Sequence, residues 1–448
     1  MNTRASALAS MKYDLCIIGG AGHVGLPLGV AFANARVKTI LFDINRESLD
    51  KIQSGVFPFR EKNGDTELKT ALKKGLAVST KPDIIRQSEN ILLVIGTPVD
   101  EYLNPDIHGI TKVIDTYFPY FRNGQILILR STIYPGTSER IQRYFRERGK
   151  RIQVAFCPER IVQGRALEEL RKLPQIVSAF DSATLGRVSV LFKKLGPRTI
   201  AAASPIEAEV AKLFSNAWRY IKFAVGNQFY MIANDQGLDY HRIYETMLDG
   251  YPRNKDLPSP GFAAGPCLHK DTMQLAAFHG NNFFLGHAAM LVNEGLPNYV
   301  IQSVRKKMPN PAGFLQGKGK VKLTGEGDLK ELIRGLNSQG DMKEKTIGIL
   351  GMAFKGESDD PRDSLSYKLR KVARAEAKHV LATDVYIKDP SFHPLQTVLA
   401  ESDILILAAP HKAYLKIDPR KYPGKQFVDI WNFWPRNREG NVATARLV

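Results

Sequence analysis

Short apolar runs bounded by glycine, proline or small polar residues alternate with longer amphipathic stretches along most of the chain. Residues 13–18 (Tyr-Asp-Leu-Cys-Ile-Ile) read as a buried strand. Glycines follow, then an apolar helix over 26–34 and a second strand over 37–43. Continuous apolar runs of this length suit strands covered on both faces. The pattern recurs. Residues 90–95 form a strand-like run ending in G-T-P, 125–130 one ending in S-T, and 153–156 one ending in C-P-E. Chemistry-capable residues thus follow strand ends, where open parallel α/β sheets take their ligands.

From about 205 to 237 the pattern is long and helical, and a second helical stretch is predicted from 271 to about 307. Between them, 250–265 is rich in Pro and Gly. These helices are expected to link two halves and to offer a surface for dimerisation. Residues 308–342 are rich in Gly and Lys with little apolar periodicity, as in a peripheral insertion. A second α/β pattern starts at Thr346: strand 346–350, then G-M-A-F-K, a helix from about Ser364, and strands over 380–386, 404–408 and 426–429. The expected fold is α/β, with two doubly wound Rossmann-like domains (11–204 and 343–448) joined by a central helical region (205–307).

Composition narrows the function. With 44% hydrophobic and 24% charged residues, the chain reads as a globular protein. No apolar run is long enough to cross a bilayer, and the opening dozen residues lack the apolar centre of a signal peptide. A cytoplasmic protein without membrane contact is expected. Three cysteines, Cys16, Cys157 and Cys267, make neither a disulfide framework nor a metal spacing. No metal is expected. Cys16 lies in an apolar strand, and Cys157 is a core or near-site thiol. Only Cys267 has small neighbours that leave it accessible. The net charge of +18 favours anionic partners. Nucleic acid is disfavoured, because there is no basic tail and no aromatic-basic repeat. A phosphate-bearing ligand fits as well, and so does a generally basic surface.

Gly20, Gly22 and Gly25 form G-A-G-H-V-G after the first strand and open the first helix, with His23 and Val24 inside the turn. That is the dinucleotide fingerprint: a tight turn, close backbone approach to pyrophosphate, and helix–strand packing. Asp43 ends the second strand and suits the paired hydroxyls of an adenosine ribose, favouring NAD over NADP. Arg46 pulls the other way, since it could meet a 2′-phosphate.

The segment G-F-A-A-G-P-C-L-H-K-D, residues 261–271, delivers Cys267 on a small-residue loop just ahead of a helix expected from near Lys270. A helix N-terminus and a lysine favour a thiolate, and Asp271 follows one helical turn later. A structural cysteine is the competing reading. Lys212 and Asn216, at i and i+4, can donate together to an oxyanion, or can simply occupy an exposed helix face. Glu159 lies just past a strand end, fit for base chemistry or sugar contact, or simply a surface-loop carboxylate.

Taken together, these motifs resemble the UDP-glucose/GDP-mannose dehydrogenase family over nearly the whole chain. The motifs run in one order: G-A-G-H-V-G-L-P, G-T-P at 96–98, S-T at 131–132, P-E-R at 158–160, E-x-x-K-x-x-x-N at 209–216, the Cys267 loop and F-K-G-E-S-D-D-P-R at 354–362. The resemblance implies NAD-dependent, four-electron oxidation of a nucleotide sugar. It implies Cys267 as nucleophile, Lys212 and Asn216 as oxyanion donors, Asp271 as proton handler and Glu159 as the group serving thioester hydrolysis. Thr97, Ser131 and Thr132 would line the NAD site, with Arg362 reaching the cofactor from the second domain. Phe354 and Lys355 would hold the nucleotide of a UDP-sugar. Arg160, Gln163, Phe262, Ala263 and Gly265 would line the substrate, with Arg253 crossing a homodimer interface.

Some residues depart from the family pattern. P-E-R with Q-G-R at 163–165 is closer to the branch acting on UDP-N-acetylhexosamines; UDP-glucose is the alternative substrate, and a non-catalytic nucleotide-sugar-binding protein the alternative class. His269 stands where relatives carry proline in the thiol loop, and Trp431 where they often place arginine.

Overall fold

The computed structural model describes residues 12–96, 108–263, 265–307 and 342–434. Thr97, Ala264 and all of the Gly/Lys-rich stretch except Met342 lie outside the described residues. The chain divides into two compact units. One runs to Ala217 and takes in Lys270–Phe283; the other holds Trp218–His269 and everything from Phe284 onward.

The first unit is built on eight strands: β1 (Tyr13–Ile18), β2 (Thr39–Phe42), β3 (Ala77–Ser79), β4 (Ser88–Leu93), β5 (Ile126–Leu129), β6 (Gln153–Phe156), β7 (Gln175–Ala179) and β8 (Thr199–Ala201). Their order is β3-β2-β1-β4-β5-β6-β7-β8. The first six follow the dinucleotide-binding arrangement, with its switch point between β1 and β4. The apolar runs are continuous because both faces of the sheet are covered. Leu15 and Ile17 enter one core, while Cys16 and Ile18 enter the other. Burial pushes the Cys16 thiol far above its ordinary range, against a small opposing effect of Ser88, so Cys16 is an inert core residue.

The second unit carries a parallel four-stranded sheet of β9 (Thr346–Leu350), β10 (His379–Thr383), β11 (Ile404–Leu407) and β12 (Gln426–Val428), in the order β10-β9-β11-β12. Alternation again divides each strand between two cores: Ile404 and Ile406 face one, Leu405 and Leu407 the other. The connections from β9 leave towards β10 on one side and β11 lies on the other, which places a ligand-binding crevice at the carboxyl ends of β9 and β11.

Three differences from the sequence reading have physical causes. The helical stretch predicted as one piece over 271–307 is two helices, Leu268–Phe278 and Phe284–Lys307. Gly280 and Asn281 both adopt left-handed backbone (φ 59° and 61°) and Asn281 N–H closes back on Ala276 O at 2.7 Å, so the first helix ends there. The first helix also begins at Leu268, immediately after Cys267. Finally, β3 and β8 span three residues each, too short to show a period, and β7 pairs antiparallel with β6.

One buried carboxylate organises the second sheet. Asp384, just past β10, accepts at Oδ2 from Met352 N (2.6 Å), Ala353 N (3.1 Å) and His411 Nε2 (3.1 Å). Its Oδ1 accepts from Tyr386 N (2.7 Å) and Ile387 N (2.9 Å). His411 Nδ1 accepts from Glu357 N–H at 3.0 Å, which fixes the tautomer with its proton on Nε2. Burial opposes ionisation, but the His411 hydrogen bond and the backbone donors outweigh it and hold the carboxyl below its usual range. A depressed acid stabilises the fold above the unfolded-state value, and that stability is lost as pH falls through the folded value. We therefore predict that Asp384→Asn lowers stability by about 2–4 kcal/mol in urea unfolding at pH 7. The gap between wild type and variant should narrow as the pH drops below about 4.

Candidate active site

The turn after β1 is shaped for a phosphate. A β-carbon on Gly25 would lie 2.1 Å from Gly19 O, and one on Gly19 itself 1.8 Å from Val94 O. Both positions therefore exclude any side chain, and Gly19 joins the fingerprint read from Gly20, Gly22 and Gly25. Beyond Gly22 only Gly19 O comes near, at 3.5 Å. The helix Gly25–Asn34 begins at Val24, which offers no capping side chain, and its first turn carries no acid. Its N-terminus is thus suited to an anion. Asp43 is half-buried at the end of β2; Oδ2 accepts from Ala21 N and Oδ1 from Asn45 N, each at 3.0 Å. Those bonds aim the carboxylate at the glycine turn while leaving lone pairs for ribose hydroxyls. These residues fit NAD. Arg46 is exposed at the start of the next helix, and the His23 ring packs 4.0 Å from Phe59. The Ser131 hydroxyl donates to Ile95 O (2.7 Å) and accepts from Ile95 N (2.9 Å), tying the ends of β4 and β5 together.

In the same unit, Asp271 is fully buried. Its Oδ2 accepts from Asn216 Nδ2 at 2.6 Å and from the Thr132 hydroxyl at 3.4 Å, and its Oδ1 lies 2.8 Å from Lys270 Nζ. Lys212 and Asn216 are both buried on the long helix Pro205–Asp235, so the exposed-face reading does not hold for them. Glu209, one turn before, opens the E-x-x-K-x-x-x-N motif. Its carboxylate caps the helix Thr137–Glu147, accepting from Gly136 N (2.6 Å) and Ser138 N (3.0 Å). Burial raises its pKa above the usual carboxylate range, against the pull of those donors.

Glu159 is also buried, and both of its oxygens are engaged. Oε2 accepts from Arg130 Nη2 (2.7 Å) and Nε (3.1 Å); Oε1 accepts from Arg160 N (2.7 Å) and Ile161 N (3.0 Å). Arg130 is completely enclosed and donates further to Cys157 O and Gln175 Oε1, each at 2.9 Å. Burial pushes the Cys157 thiol up to about 12, only partly offset by Arg130, so it is a core thiol. The Arg160 guanidinium donates to Pro174 O, and Gln163 is half-buried on the following loop.

In the second unit, Cys267 is exposed, while Phe262 and Ala263 ahead of it are buried. Gly261 N donates to Asn227 Oδ1 at 2.8 Å, Asn227 Nδ2 to Asn293 Oδ1 at 2.8 Å, and Asn293 Nδ2 to Tyr220 O at 3.0 Å. This wholly buried chain holds one end of the thiol loop. It was missed in the sequence, where two asparagines on separate helices carry no local signal. Gly265 N donates to Asp363 O at 3.3 Å at the other end. Arg362 forms a forked pair with Asp360 (2.6–3.1 Å); that pairing, against partial burial, holds its guanidinium charged, with smaller support from Cys267 and Asp363. Lys355 Nζ lies 5.6 Å from the Phe354 ring centroid. Arg253 is exposed, with Nη1 donating to the Tyr251 hydroxyl at 3.1 Å. His269 is half-buried, its ring 6.1 Å from that of Tyr220.

Sequence comparison matches these regions in order. The UDP-glucose/GDP-mannose dehydrogenase family's NAD binding domain matches residues 13–196, its central domain 206–294 and its UDP binding domain 348–436. The chain belongs to the UDP-glucose/GDP-mannose dehydrogenase family. It is 27% identical over 406 residues to a UDP-N-acetyl-D-mannosamine dehydrogenase of Pyrococcus horikoshii, covering 89% of this chain and 90% of that one. Its identity to the enzyme of the same name from Escherichia coli K12 is 24%, over 95% of this chain and all of that one. The structure of UDP-D-ManNAc dehydrogenase from P. horikoshii superposes with a TM-score of 0.80 at 25% identity, over 96% of this chain and 97% of that one. A UDP-glucose dehydrogenase from Pyrobaculum islandicum shares the fold, with a TM-score of 0.76 at 23% identity, over 94% of each chain.

Within this family the chain is an NAD-dependent nucleotide-sugar dehydrogenase. The two oxygens of Glu159, paired with Arg130 and with the Arg160 and Ile161 amides, also hold the P-E-R loop in place. Arg130→Met should cost about 3–5 kcal/mol in chemical denaturation, since it strands a buried charge. Arg130→Met combined with Glu159→Gln should recover much of that loss; equal losses in single and double variants would show that the pair is not coupled.

Proposed function

We propose that this dehydrogenase oxidises the primary alcohol of a UDP-N-acetylhexosamine, foremost UDP-N-acetylmannosamine, to the uronic acid through covalent intermediates on Cys267. One observation carries the reading: an exposed cysteine on a small-residue loop directly precedes a helix whose buried Asp271 is bonded to Asn216. The choice of sugar is supported by the P-E-R and Q-G-R residues and by the names of the relatives.

The glycine turn and Asp43 would hold NAD, which would supply the hydride acceptor for the two oxidations of the sugar carbon. The Cys267 thiolate adds to the aldehyde carbon, forming a sulfur–carbon bond and leaving an alkoxide. Lys212 and Asn216 donate to that oxygen. The Asn216 amide has two N–H groups and uses one on Asp271, so the second is available. After the second oxidation Cys267 carries a thioester. Water adds to it, the sulfur–carbon bond breaks, and the thiol departs with the uronate released. Asp271, oriented by its bonds to Asn216 and Thr132, orders water and takes its proton. Splitting one hard conversion into covalent steps keeps the aldehyde from escaping.

The long helix also leaves Trp218, Val225, Phe229 and Ile232 exposed at helical spacing. This apolar stripe supports a homodimer, in which Arg253 would serve the partner's substrate. Among the described residues no helix is long and apolar enough to cross a membrane, and we place the enzyme in the cytoplasm.

The test is the NADH yield across UDP-N-acetylmannosamine, UDP-N-acetylglucosamine, UDP-glucose and GDP-mannose. Two NADH per sugar are expected for the true substrate; a yield of one would sink the four-electron reading. Cys267→Ser should abolish uronate formation while NAD binding, measured by calorimetry, persists. Normal turnover in that variant would make the cysteine structural.

A further inference from the structure

Two aromatic side chains of the second unit rest against the two ends of the thiol loop. A β-carbon on Gly261 would fall 2.2 Å from the Trp431 indole, and one on Gly265 2.6 Å from the Phe354 ring. Neither approach leaves room for a side chain, so bare backbone lies on each ring. Trp431 is held in turn. Its Nε1–H donates to Leu407 O at 3.2 Å, and its backbone N–H donates to Asp429 Oδ1 at 3.0 Å. Leu407 is the last residue of β11, and Phe354 follows β9 by four residues. Both rings therefore stand at the carboxyl ends of the neighbouring strands that form the crevice of this sheet. The loop is also tethered by Gly261 N to Asn227 on a helix and by Gly265 N to Asp363 O.

We infer that Trp431 is a positioning residue that couples occupancy of the nucleotide end of this crevice to the reactivity of Cys267. The inference rests on the functional reading above, in which Phe354 and Lys355 hold the UDP part of the substrate. A ligand seated in the crevice restrains the rings, the rings restrain Gly261 and Gly265, and Cys267 lies two residues beyond Gly265. An indole suits this task. It offers a flat apolar face to backbone and a single N–H to lock its orientation, and it brings no charge to a phosphate. The coupling is reciprocal, so an ordered thiol loop also favours nucleotide binding.

Alkylation by iodoacetamide reads the coupling, because Cys16 and Cys157 are fully buried and Cys267 is exposed. UDP is the probe, since it lacks the sugar that would shield the thiol directly; calorimetry measures its binding. Saturating UDP should slow alkylation of wild type about five-fold or more. Trp431→Ala should bind UDP yet alkylate at the same rate with and without it, and Trp431→Phe, which keeps a ring, should restore most of the response. Should Trp431→Ala fail to fold, Trp431→Leu takes its place. A ringless variant that responds to UDP as wild type does would overturn the inference alone, as would a wild type that binds UDP with no change in alkylation. A wild type that binds no UDP would overturn the functional reading as well.

Discussion

The hydrogen bond between Asn216 and Asp271 is the constraint on which the proposed chemistry depends. It joins the long helix that carries Lys212 to the helix that begins immediately after Cys267. Asp271 is completely enclosed, so its charge is tolerable only because Asn216, Thr132 and Lys270 surround it. The same contacts that satisfy the carboxylate orient the Asn216 amide and keep one of its donors free of that task. Glu209 fixes the long helix one turn earlier by capping the helix that starts at Thr137. Fold stability and the placement of Lys212 and Asn216 thus rest on the same buried bonds.

The two sheets use the acid at the end of their second strand in opposite ways. Asp43 spends one bond on each oxygen and stays half-buried, open to a ribose. Asp384 receives five hydrogen bonds and is closed to solvent. A nucleotide at the second sheet must therefore be recognised without that acid. The repeated strand order does not imply a repeated binding site.

The parts legible in the sequence were those with local signals. Continuous apolar runs marked β1, β6 and β9, and the fingerprint glycines marked the nucleotide turn. The helix break at Gly280 and Asn281 was hidden because apolar positions continue on both sides of it. The roles of Arg130, Asn227 and Asn293 were hidden for another reason: each acts on a group distant in sequence, and nothing in its own neighbourhood distinguishes it from a surface residue. Glu159 shows the converse limit. Its motif suggests base chemistry or a sugar contact and carries no sign of Arg130, outside the motif, which pairs with the carboxylate.

The most direct test of the central claim is to quench turnover with acid and weigh the peptide that contains Cys267. With NAD and the true UDP-sugar, the account predicts a fraction of that peptide carrying the uronyl group as a thioester, removable by hydroxylamine and enriched when Asp271 is replaced by asparagine. Steady turnover with Cys267 unmodified in both proteins would contradict it.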